Sequence, residues 1–392
     1  RQGRQGRQES YLISSMIELA PEDALRVNVM LANQPQAVRI DESRMCLYAL
    51  TDSGEIEIQL NPTCRDEPYV KQIRELLSNH YLGSPSGYPV TIQRWARMGQ
   101  NRIENMDELL LLGEPSAVIA VVYAEGLTDD LARRAWWAME DAENARQMLK
   151  VQAVVEGEMA SRLAAYLVDF LPFETESEKI METVRLVLQP GLVSDQVKQD
   201  LWKKARRKSA MYVGFLSALP NDLPGDADSH QQFSALDDGL AALAEQGNEL
   251  AALLHRVLSA QGQLWLDTLG KVLEKPGNQD VVNWALDVIA DYFKAAAAET
   301  RLDYTIEQLL DEAAAWVESG SDERVLSILA EFPGLRPQLR ALRVLSGAGY
   351  NMVRPVFCKS TAIGSLMRRQ LQPILAPLKQ QTDCLQAEIA GL

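Results

Sequence analysis

Beyond Gly126 the apolar residues recur every three or four positions almost to the C-terminus, and no other feature restricts the fold as much. That period belongs to the α-helix and conflicts with strands, whose faces alternate every second residue. In "YTIEQLLDEAAAWVESG", Thr305 and Gln308 are spaced for a capping box, and Ile306, Leu309, Leu310, Ala313, Trp316 and Val317 share one face. Gly320 follows where a helix end calls for positive φ. "QDVVNWALDVIADYF" repeats the design with Val281, Ala285, Val288, Ile289 and Tyr292.

Upstream of Gly126 the pattern is mixed. "PEDALRVNVMLAN" opens with proline and acids, as a helix start does. "MCLYAL" and "EIEIQL" flank "TDSG" and predict a hairpin, and "DEPYVKQIRELLSNHYL" is helical. "YPVTIQRWAR" predicts a strand, "ENMDELLLL" a helix and "SAVIAVVYA" a strand buried on both faces. The expected fold is therefore mainly α with a small N-terminal α+β domain. Residues 1–15, "RQGRQGRQESYLISS", read as a tag or upstream extension; residues 16–125 form the α+β domain, 126–225 a helical domain and 226–392 a C-terminal helical domain. "PNDLPGDADSHQQ", residues 220–232, is the expected linker between the last two.

A short internal likeness complicates the helical part. "GLTDDLARRAWW" from Gly126 and "GLVSDQVKQDLW" from Gly191 share Gly-Leu, an aspartate and a terminal tryptophan at equal spacing, which aligns Trp137 with Trp202. Coincidence and a genuine repeat both fit; a repeat would make the body a HEAT-like solenoid of stacked helices. The adjacent Trp136 and Trp137 lie about 100° apart on a helix, so one face cannot hold both. Leu131, Ala135 and Met139 form the expected apolar stripe with Trp136 at its border, and Trp137 falls between Arg133 and Arg134, either of which could stack on it. An exposed aromatic binding site at Trp137 is the other reading.

Charge and composition exclude several functions. The chain carries a formal charge of −15, and the first fifteen residues hold three Arg and one Glu, so the remainder stands at −17. An acidic surface selects basic partners and makes nucleic acid an unfavoured one. Apolar runs such as "AVIAVVYA" are far shorter than the roughly 18–20 residues of a membrane helix. No secretory leader is read either, because Pro21, Glu22 and Asp23 interrupt any apolar run after Met16, and a cytoplasmic location is expected.

Catalytic signatures are missing: there is no P-loop, HExxH, GxSxG or paired CxxC. "GAGYNM" and "GSPSG" read as loops. His80, His230 and His255 have no ligand-like neighbours in sequence, so no metal or cofactor is expected. Among the cysteines, Cys46 reads as a small core residue and Cys384 carries no signal. Cys64 precedes a helix beside Arg65, and Cys358 has Lys359 and Arg354 near it, so these two are the candidate thiols. The one concentrated basic stretch is "LWKKARRKSAMY". Read as one amphipathic helix, it sets Lys203, Lys204, Arg206, Arg207 and Lys208 on one arc and Trp202, Ala205, Ser209 and Tyr212 on the other. Such a face is as a rule solvated and neutralised by nearby acids; its sharper reading is a docking patch.

The blocks "NQPQAVRIDESRM", "LNPTCRDE", "LGSPSGYPV", "LLLLGEPSAV", "GLTDDLARRAWWAM", "YLVDFLPFE", "LVLQPGL" and "YVGFLSALPNDLP" resemble, in order over residues 16–225, the DsrS-type sulfur-reduction proteins encoded with the reverse dissimilatory sulfite reductase system of sulfur-oxidising bacteria. The resemblance implies a soluble cytoplasmic protein of sulfur oxidation, with partners in that pathway. It carries over no catalytic residue. Three functions follow in descending order: a noncatalytic accessory protein docking through the basic stretch or Trp137; a sulfur-transfer protein using Cys64 or Cys358; and an RNA-binding post-transcriptional regulator.

Overall fold

The computed structural model describes residues 19–83, 106–298 and 304–391. The chain forms two compact units, 1–167 and 168–392. The division falls inside a helix rather than at the composition shift near 126 or in the 220–232 loop, which lies wholly within the second unit. The fold is mostly helical with one small N-terminal sheet. No described helix is long and apolar enough to cross a membrane.

The described part of the first unit begins with α1 (Pro21–Ala32), followed by the antiparallel strands β1 (Ala37–Asp41), β2 (Cys46–Thr51) and β3 (Gly54–Gln59) and by α2 (Asp66–Leu82). The expected hairpin is β2–β3, closed by Thr51 opposite Gly54; β1, in "AVRID", has no alternation strong enough to announce it. Leu47 of the sheet and Tyr69, Ile73 and Leu77 of α2 have no exposed surface and form the core with Val27 and Met30 of α1. Burying each such aliphatic side chain stabilises by about 1.5–3 kcal/mol. Into this core is built one carboxylate: Asp23 is fully buried and accepts from the Tyr69 hydroxyl and, at 2.7 Å, from the Asn61 amide. A buried charge is tolerable when donors surround it in this way. Burial, reinforced by Asp23, pushes the Tyr69 phenol up to about 12.

Among the described residues, five helices follow before the second unit: α3 (Met106–Leu109), α4 (Pro115–Val122), α5 (Asp129–Ala138), α6 (Ala142–Met148) and α7 (Gln152–Val155), with α8 (Met159–Phe170) spanning the boundary. The expected strand "SAVIAVVYA" is the helix α4, a correction with a simple cause. An eight-residue apolar run has no readable period, but Pro115 occupies the first turn of a helix, where its missing N–H costs nothing. The expected strand "YPVTIQRWAR" lies outside the described residues.

Helix α5 separates its two tryptophans. Ala132, Ala135 and Trp136 are its buried residues, and Trp136 meets Tyr166 edge-on at 4.8 Å. Trp137 turns to the sheet: its Nε1 donates to Glu55 at 2.9 Å, and Arg39 lies over its ring at 4.9 Å and over Tyr48 at 4.7 Å. The cation stacked on Trp137 is thus Arg39 from β1, not Arg133 or Arg134, because both of those pair with Asp130. The buried stripe is also turned from the expected Leu131, Ala135 and Met139, since Leu131 and Met139 are half-exposed.

The second unit contains α9 (Ser177–Val187), α10 (Asp195–Ala205), α11 (Ser209–Ala218), α12 (Phe233–Glu245), α13 (Glu249–Leu258), α14 (Ala260–Glu274), α15 (Gln279–Tyr292), α16 (Ile306–Glu318), α17 (Glu323–Glu331), α18 (Arg336–Ser346), α19 (Tyr350–Phe357) and α20 (Gly364–Cys384). Helix α11 is its centre. Every residue from Ala210 to Leu216 is buried, so the helix has no solvent face. It lies closest to α9 at Gly214, where a Cβ would sit 2.7 Å from Val184 Cβ and 2.9 Å from the Met181 carbonyl oxygen. The expected capping box of Thr305 and Gln308 is present on α16, and Gly320 has φ +60°. The 220–232 loop is packed rather than free: Leu223 and His230 are buried, and the His230 ring Nε2 is 2.9 Å from the Ala387 carbonyl.

The two similar segments share a design but differ in register. Gly126 and Gly191 both have positive φ, and Thr128 and Ser194 cap α5 and α10 through the Leu131 and Val197 amides. The caps stand two and three residues after their glycines, so counting from the cap matches the buried Trp202 with Trp136, not Trp137. Trp136→Ala should therefore cost about 3–5 kcal/mol of unfolding free energy and Trp137→Ala about 1 kcal/mol, read by urea titration. Equal losses would remove the distinction.

Alkaline stability follows from the buried phenols. Tyr292 is clamped between Trp265, stacked at 3.8 Å, and the Arg256 guanidinium at 4.1 Å, and burial pushes its pKa up to about 12. The folded state holds the phenolic proton more tightly than the unfolded chain, so this stability is complete below pH 10 and is lost as pH rises from about 10 to about 12. Because Trp265 and Arg256 contact the ring, which phenylalanine retains, Tyr292→Phe should leave stability at pH 7 nearly unchanged and flatten the alkaline loss. Unfolding titrations at pH 7 and pH 11 test both halves.

Candidate cationic docking site

The basic stretch is not one helix. Helix α10 ends at Ala205, Arg206 and Arg207 form a turn, Lys208 is extended, and α11 starts at Ser209. The cause lies in packing: Trp202 makes edge contacts with Tyr212 at 5.2 Å and Phe215 at 5.0 Å, which requires α11 to fold back over α10. A continuous helix would place residues 202 and 215 about 20 Å apart along its axis. The five basic residues consequently gather at a corner instead of spreading along an arc.

Nor are they neutralised as a solvated helix face would be. Lys203 pairs with Asp200 at 3.1 Å. Gln196 and Lys203 both donate to that carboxylate and hold it below the usual range. Lys204, Arg206, Arg207 and Lys208 are exposed and make no ion pair among the described residues. Four unpaired cations close in sequence create a local positive potential against the acidic background of the chain.

Two recesses adjoin this corner, and a third borders the second. The first, of 500 Å³, has an apolar floor of Val168, Leu171, Leu201 and Met211 under a rim that includes Lys204 and Arg207. Phe173, 75% exposed, follows that wall in sequence. The second, of 810 Å³, is lined by Arg206, Arg207, Lys208, Lys271 and Lys275, with hydroxyls from Ser177, Ser209 and Tyr212. It opens at the first turns of both α9 and α11, neither of which has a side-chain cap. Exposed amides at a helix N-terminus favour an anion. The third, of 390 Å³, adds Arg368, Arg369 and Lys379 of α20. Arg207 and Lys208 line both the first and second recesses, and Lys275 both the second and third. The basic run is legible in the sequence, but the corner it forms and the additional cations Lys271, Lys275 and those of α20 are not, because only the tertiary fold gathers them.

The other candidate residues are separate from this site. Trp137 belongs to the first unit, held by Arg39 and Glu55. Cys64 is half-buried at the edge of the N-terminal core, 3.4 Å from the Arg65 carbonyl. Cys358 is exposed and sits at the C-cap of α19, the negative end of that helix. Burial pushes the Cys46 and Cys384 thiols up. His255 is 2.7 Å from Asp237, an isolated pair. No group of three or more His, Cys, Asp or Glu side chains suited to a metal occurs among the described residues. A chromogenic disulfide reagent should accordingly label Cys358 first, Cys64 and Cys384 more slowly, and Cys46 only on unfolding; early labelling of Cys46 would contradict its burial.

No family model, curated protein or solved structure matches this chain.

Proposed function

We propose that the protein is a noncatalytic accessory protein that captures an acidic partner on the corner between α10 and α11, acting in the cytoplasm in sulfur oxidation. The observation that carries the docking reading is the set of four unpaired cations, Lys204, Arg206, Arg207 and Lys208, on a chain of charge −15. Electrostatic complementarity of this kind steers association and selects partners. The pathway and compartment rest on the resemblance of the blocks between residues 16 and 225 to the DsrS-type proteins.

The test is capture from an extract of sulfur-oxidising cells with tagged protein, captured chains being identified by mass spectrometry. Sulfite-reductase-pathway proteins should be recovered at low salt and lost with Lys203→Glu, Arg206→Glu, Arg207→Glu, and recovery should fall as salt rises. Unchanged capture by that variant removes the surface. Loss of partners or of bound sulfur only with Cys64→Ser, Cys358→Ser would put sulfur transfer in its place.

A further inference from the structure

Resting on the docking reading, we propose that the partner is recognised through an extended acidic peptide segment that runs from the α10–α11 corner across all three recesses to α20, with one apolar side chain anchored in the first. The continuity of the recesses carries the argument. Their shared residues, Arg207, Lys208 and Lys275, make one track that gathers ten of the chain's 39 basic side chains against a single acid, Glu274. In a chain with 54 acidic residues, such segregation leaves a surface that the described structure neutralises only in part. Of the ten cations, Lys203 pairs with Asp200 and Lys271 with Asp267 at 2.6 Å; Lys275, Arg369 and Lys379, like Lys204, Arg206, Arg207 and Lys208, make no ion pair among the described residues.

The shape and chemistry of the ends distinguish the occupant. An isolated phosphate would use the second recess alone and leave the α20 cations idle. A nucleic acid strand needs aromatic faces on which bases stack. The aromatic side chain lining the three recesses is Tyr212, which is 9% exposed and turned against Trp202, so it offers no platform. The first recess instead presents aliphatic walls from Val168, Leu171, Leu201 and Met211, with the exposed Phe173 next to Pro172 on its rim. An apolar anchor between charges fits there, as buried anchors within polar rims do at protein interfaces. Carboxylates on either side would meet Lys204 and Arg207, and those further along would reach the uncapped first turns of α9 and α11 and then Arg369 and Lys379.

The experiment is fluorescence anisotropy with a labelled synthetic peptide of about twelve Asp and Glu residues around one Leu, a length whose extended reach is roughly 40 Å. The peptide should bind the full chain in a salt-dependent way. Replacing its Leu by Ser should weaken binding roughly ten-fold, the equivalent of about 1.4 kcal/mol. Arg369→Glu, Lys379→Glu, at the end remote from the anchor, should weaken it by a similar factor while far-ultraviolet circular dichroism stays unchanged. Insensitivity to that pair overturns the extended track, even if Lys203→Glu, Arg206→Glu, Arg207→Glu still abolishes partner capture and the docking reading stands. Conversely, peptide binding with these dependences, alongside no captured pathway protein, upholds the track and removes only the pathway assignment. Tighter binding of single-stranded RNA of equal charge would overturn the peptide as occupant.

Discussion

The close approach of α11 to α9 at Gly214 organises the second unit. With no side chain at 214, the backbone of one helix rests against Val184 and the Met181 carbonyl of the other. Dispersion contacts are short-ranged, so this fit binds the two helices more effectively than the same apolar area held slightly apart. Both helices then open at their N-terminal ends on the same recess, and α10 must return between them. The basic turn lies where it does because that return has to end beside the start of a helix buried all round from Ala210 to Leu216. A cationic site at the mouth of an apolar core is therefore a product of core packing, not of a surface motif.

The same relation explains how much of the protein was legible beforehand. Features set by neighbours in sequence could be read directly: the Thr305–Gln308 box, the positive φ of Gly320, the α2 helix and the β2–β3 hairpin. Features set by distant packing could not. The break after Ala205 has neither glycine nor proline to mark it, and it becomes intelligible only when Trp202 is seen against Tyr212 and Phe215. Helix α4 was hidden because an apolar run of that length satisfies strand and helix alike. For the site, the charge run was visible, but its extension through Lys271, Lys275 and α20 joins residues more than 160 positions apart.

Trp136 and Trp137 show the same division within two residues. One is a core side chain and the other joins a helix to a sheet through Arg39, Tyr48 and Glu55. The arginine chosen for that stack comes from β1, almost a hundred residues away, while the two arginines beside the indole in sequence are held by Asp130. Local proximity offered two cations, both held by one acid; tertiary geometry brought a third onto the ring.

The glycine contact also bears on ancestry. Positions 184 and 214 share one small volume, so a lineage that enlarges one must shrink the other or let α9 and α11 part. Related chains could then drift far in overall sequence while keeping a compensated pair there, set within an unbroken apolar heptad a few residues after a cluster of basic ones. That coupled signature, rather than general similarity, is what would reveal distant kin of this fold.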